Sequence, residues 1–143
     1  MSGLQHFRIC LSALALAAVA GCGAASTSTP TSPTAPATAT DTFSGTLAQS
    51  GTVTHIFAVA ANGTVEISLT SVAPLATMSL GVGVATSDGT SCLAAISQTA
   101  DARSGSIALK GTAAVGNYCV RVYDSGNIPT ATDVTYTLQV THP

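Results

Sequence analysis

The chain is sparing with groups that can do chemistry: its 143 residues include four cysteines, three histidines and six acidic side chains. Hydrolytic catalysis needs a nucleophile with a positioned base, a pair of carboxylates or a metal cluster. Beyond the apolar N-terminal run the histidines are His55 and His142. His55 shares the strand parity of Phe57 and reads as a satisfied histidine at the edge of a core; His142 is next to the last residue. No catalytic residue is assigned. Among the acids, Asp88-Gly89-Thr90 and Asp124-Ser125-Gly126-Asn127 are oxygen-rich segments, and calcium takes about six to eight oxygens. Asp88 and Asp124 are therefore candidate calcium ligands if Asp101 and Asp133 approach them in space. The competing reading is turn chemistry, because Asp-Gly is an ordinary turn sequence and no Asp-x-Asp-x-Asp loop is present. Arg121, Tyr123 and Asp124 form a candidate polar-aromatic patch for a glycan. Tyr123 is the tyrosine expected on an outward strand face.

Cys22 ends an apolar stretch that follows the single Arg8. Ile9 to Ala20 is apolar apart from Ser12, and its roughly 12 residues match a signal-peptide h-region rather than the ~20 of a membrane span. Val19-Ala20-Gly21-Cys22 resembles a bacterial lipobox. The resemblance implies cleavage after residue 21, a diacylglyceryl group on the Cys22 thiol, and loss of Cys10 with the signal. Two acyl chains anchor a protein stably where one does not. Gly23 is not the Asp that retains many lipoproteins at the inner membrane, which favours an outer-membrane or surface position. In an exported protein the remaining pair, Cys92 and Cys119, reads as a disulfide. Metal ligation by that pair lacks a neighbouring His or Cys. Closing the loop would restrict the unfolded chain by about 3–4 kcal/mol.

These residues need elements to hold them. Residues 22–40 are the anchor cysteine followed only by Gly, Ala, Ser, Thr and Pro, too poor in apolar surface to fold and stiffened by proline, and are expected to form a tether. The domain is expected over 41–143. Its charges are few: Arg103, Lys110 and Arg121 against Asp41, Glu66, Asp88, Asp101, Asp124 and Asp133. Counterion release on a nucleic acid needs clustered cations, so no nucleic-acid partner is expected.

Period-two alternation predicts strands at Thr64–Thr70, Tyr118–Tyr123 and Val134–Thr141. Shorter ones are expected at Phe43–Leu47, His55–Ala60, Met78–Ala85, Cys92–Ser97 and Ser106–Lys110. Asn62-Gly63 between two of them suits a type I′ hairpin. Short strands with regular turns predict an all-β chain folded as a single antiparallel sandwich. The expected core is Phe57, Val59, Val65, Ile67, Leu69, Leu80, Val82, Ile107, Leu109, Tyr118, Val120, Val122, Tyr136, Leu138 and Val140. The absence of Trp and the short Cys92-to-Cys119 spacing argue against an immunoglobulin domain.

Ser44-Gly45-Thr46-Leu47, His55-Ile56-Phe57, Gly63–Leu69, Gly116–Val122 and Tyr136–Val140 together resemble the bacterial pre-peptidase C-terminal domain. The resemblance covers most of residues 41–143. It implies a jelly-roll-like sandwich of about eight strands and a non-catalytic module of exported proteins, some of which bind calcium. No protease domain accompanies it here, and Thr52–Phe57 lacks the acidic residue that often precedes the aromatic, so the family's calcium site does not carry over. The expected function is a lipid-anchored envelope module with a structural or protein-interaction role; the alternative is a calcium- or glycan-binding module.

Overall fold

A computed structural model describes Thr34–Pro143. The lipobox, Cys22, Cys10 and the start of the tether lie outside the described residues. Eight strands follow one another: β1 (Ala39–Leu47), β2 (Thr52–Val59), β3 (Gly63–Ala73), β4 (Ser79–Ser87), β5 (Cys92–Arg103), β6 (Ser106–Ala113), β7 (Gly116–Tyr123) and β8 (Val134–His142). Among the described residues there is no helix. Each expected strand is present, most of them longer than the alternation marked. β1 takes in Ala39 and Thr40 from the stretch read as tether, because pairing with His142 and Thr141 uses backbone groups and needs no apolar side chain.

The strands form two antiparallel sheets, ordered β1-β8-β3-β6 and β2-β7-β4-β5. Of the successive connections, only β4 to β5 stays within one sheet. That crossing pattern is a jelly roll, in which each hydrophobic strand face finds its cover on the opposite sheet. β3 and β8 face β4 and β7 across a core of Val65, Ile67, Leu69, Leu80, Val82, Val120, Val122, Tyr136, Leu138 and Val140. Leu47, Val72, Met78, Ala102, Ile128 and Val134 extend it toward the strand ends.

Two local expectations are overturned. Asn62-Gly63 is not a hairpin turn, since β2 and β3 belong to different sheets and Gly63 is not among the positive-φ residues. It is a corner between sheets, where the Asn62 side-chain oxygen accepts from the Val115 amide at 3.0 Å. Gly63 is small for a packing reason: a Cβ there would stand 2.5 Å from the Pro143 ring. Ile107 is 54% exposed rather than core. A bulge shifts the β3–β6 register between Ile67 and Ser68, so Leu109 faces inward opposite Ile67 while Ile107 falls opposite the outward Ser68. Leu109 and Tyr118 are half-buried against the core.

Candidate functional site

The outer face of the β2-β7-β4-β5 sheet carries the features that the sequence marked for chemistry. Cys119 on β7 alternates with the inward Tyr118 and Val120 and so points outward, yet it is fully buried. Its cover is Cys92 at the start of β5. The two are joined as a disulfide with Cα atoms 5.7 Å apart. β4 lies between β5 and β7 in the sheet, so the bridge joins two strands that do not pair with each other, and register shifts on both sides of Ala85 mark where β4 meets the start of β5.

Beyond the bridge the β4 strand offers almost no side chains. Gly81, Gly83 and Ala85 occupy its outward positions opposite Tyr123, Arg121 and Cys119. Glycine within a strand marks close approach by another group. At Gly81 the group is Tyr123, whose ring lies over the glycine and whose hydroxyl donates to the Thr99 carbonyl at 3.2 Å. Tyr123 is thus outward, as expected, but half-buried and engaged rather than open. Over Gly83 and Ala85 there remains a groove of about 150 Å³, bordered by the disulfide, Leu93, Gln98 and Arg121. The Arg121 guanidinium stacks on Tyr123 with its centre 5.2 Å from the ring centroid, and its Nη2 donates to Gln98 Oε1 at 3.3 Å.

Asp124 leaves this patch. Its Oδ1 accepts from the amides of Gly126, Asn127 and Ile128 at 2.8–3.1 Å, and its Oδ2 from Ser50 at 2.9 Å. Burial pushes its carboxyl up, but those four amides outweigh it and hold the group below its ordinary range. It ties the β7–β8 loop to the β1–β2 turn. Asp88 does the same within its own hairpin, accepting from Thr90 and Ser91 amides at 2.8 and 2.7 Å, which lowers its pKa. Asp101 pairs with Arg103 at 3.0 Å on the surface. Among the described residues no three His, Cys, Asp or Glu side chains stand where they could share a metal ion. The structure does not gather Asp88, Asp101, Asp124 and Asp133 at one place, and each of the two oxygen-rich segments folds onto its own aspartate, which is the turn chemistry of the competing reading.

The two histidines among the described residues, His55 and His142, lie between the sheets. His55 stacks on Phe43 with centroids 4.8 Å apart and shares a 2.8 Å hydrogen bond through Nε2 with the Tyr136 hydroxyl. Desolvation lowers its pKa, and burial pushes Tyr136 up to about 12. His142, passed over in the sequence, is buried; its Nε2 is 3.1 Å from Asp41 Oδ2 and its ring packs 5.6 Å from Phe57. The legible signal was parity, because His142 continues the inward series Val134, Tyr136, Leu138, Val140.

A second opening lies at the margin where β5 and β6 end their sheets. An apolar cleft of about 90 Å³ runs from Ile96 at the surface to Phe57, Val65, Ile67 and Tyr118. Ile96 is 57% exposed.

No protein-family model and no curated protein matches this chain. Among the described residues no helix is long and apolar enough to cross a membrane.

Proposed function

We propose that the chain is a lipoprotein of the bacterial envelope whose sandwich, similar to the pre-peptidase C-terminal domain, is a non-catalytic module that binds another protein. Cys22 anchors it, the Ser/Thr/Pro-rich tether spaces it from the membrane, and the domain presents a strand edge to a partner. The observation that carries this is β5. It is a 12-residue strand ending its sheet, it has two charged residues, and those two, Asp101 and Arg103, pair with each other. Charge on an edge is a common guard against strand addition, and most of β5 lacks it. Its bulges confine pairing to short stretches. An extended segment of a partner adding beside β5 would bring a side chain to the Ile96 cleft, combining main-chain hydrogen bonds with an apolar anchor.

A photo-crosslinking residue at Ile96, compared with one at the exposed Gln139 on the other sheet, tests this in the membrane-attached protein. A discrete adduct to one different protein from Ile96 alone is the expected result. Equal labelling from both positions, or an adduct only to a second copy, would sink it. Cys22→Ser should abolish both processing and membrane attachment; unchanged attachment would remove the anchor from the proposal.

A further inference from the structure

The groove on the outer sheet face is separate from the β5 edge and supports an inference of its own. Three cationic side chains lie among the described residues. Arg103 pairs with Asp101 and Lys110 with Glu66, each at 3.0 Å, whereas Arg121 has no carboxylate partner there. Its position is nonetheless defined. Tyr123 supports it from below, being itself held by Gly81 and Thr99, and Gln98 takes one N–H. A guanidinium has five donors in a rigid fork, so donors remain for a ligand.

Gly83 beside it is unlike Gly81. A Cβ at Gly83 would meet the Gln98 Cβ at 3.4 Å and Arg121 Nε at 4.0 Å, which is ordinary contact, and its φ is not positive. The fold's own packing therefore leaves room for a side chain at Gly83, and the space a methyl would fill opens into the groove. At about 150 Å³ the groove has the volume of a cavity known to take a six-membered ring.

We propose that this groove binds a carboxylate carried on a six-membered ring, the chemistry of a hexuronic acid residue. The carboxylate pairs with Arg121 through two parallel N–H···O bonds. The ring lies on Gly83 and Ala85 against the Cys92–Cys119 bridge and Leu93, and the Gln98 amide meets its polar edge. A ligand of about a dozen heavy atoms at ordinary efficiency binds with a Kd on the order of 1 mM.

The test is titration of the purified, disulfide-bonded protein, followed by amide chemical shifts, with glucuronate, glucose and cyclohexanecarboxylate as probes. Expected are saturable shifts at Gly83, Gln98 and Arg121 with glucuronate and none with glucose. Arg121→Gln and Gly83→Ala should each weaken binding about tenfold or more while leaving the melting temperature within a few degrees. Lys110→Gln should change nothing. Equal binding of cyclohexanecarboxylate supports the carboxylate site and assigns the ring contact to apolar packing instead of hydroxyl recognition. Shifts with glucose, shifts mapped away from the groove, or glucuronate binding retained in Arg121→Gln would overturn the proposal.

Discussion

The Tyr123 ring lies over Gly81 so closely that a Cβ on the glycine would stand 2.2 Å from two of its ring carbons. The pair faces outward, yet it behaves as packing: the tyrosine covers backbone that a side chain would otherwise shield, and its hydroxyl secures β5 through Thr99. Gly81→Ala is expected to destabilise the domain by about 1–3 kcal/mol through overpacking. In a Tyr123→Ala background the same substitution should cost nearly nothing, since the clash is gone. A double-mutant cycle by urea unfolding measures the coupling, and additivity of the two changes would contradict the contact.

Asp124 belongs to the frame rather than to a ligand site. Its half-exposed carboxylate accepts four amides from two loops, so Asp124→Ala should lower stability by about 1–2 kcal/mol after discounting for solvent screening. Because its folded pKa lies below the ordinary 3.8, its contribution is present above that value and is lost as pH falls through the folded pKa. Acid unfolding of wild type and variant should converge at the lowest pH; parallel curves would remove Asp124 as the cause.

His55 supplies a pH dependence nearer neutrality. Burial lowers its pKa from 6.5, so below that value the unfolded chain takes up a proton that the folded one resists. Stability is full above 6.5 and falls as pH drops from there toward the folded pKa. Tyr136 acts at the other end. Its hydroxyl ionises near 10.0 when unfolded but is pushed up to about 12 when folded, so stability also declines as pH rises between these values. Urea melts as pH falls from 6.5, above the range in which Asp124 acts, should show a slope that His55→Gln flattens. A slope untouched by the substitution would count against the burial of His55 as its source.

The disulfide should matter chiefly through the unfolded chain. With its two ends 27 positions apart in sequence, reduction is expected to cost about 3.5 kcal/mol in the chain-entropy account. Denaturant midpoints with and without reductant measure it. Alkylation of the non-reduced exported protein should leave Cys92 and Cys119 unlabelled.

The eight strands and most of the core were legible because alternation at period two is a local property: a residue's parity decides its face once the strand exists. Val65, Ile67 and Leu69 needed nothing else. Ile107 was misread because one bulge inserts a residue and reverses parity beyond it, and a bulge leaves no mark in an apolar pattern. The pairing of Cys92 with Cys119 was legible from the number of cysteines and the expectation of export, but not that it would join two strands flanking β4 and border a groove.

By itself the sequence determined the class of fold, most of the inward set of residues, the disulfide partners and the scarcity of catalytic groups, all of which follow from residue type and spacing along the chain. Only the tertiary structure decided the jelly-roll order, because strands of similar composition pair through backbone groups that carry no residue identity. It also decided which polar groups meet. Asp88 and Asp124 turned to their own loops, His55 found Tyr136 in the opposite sheet, and Arg121 was left over Gly83 without an acid. Those outcomes depend on distances between residues far apart in sequence, which are set when the two sheets close on each other.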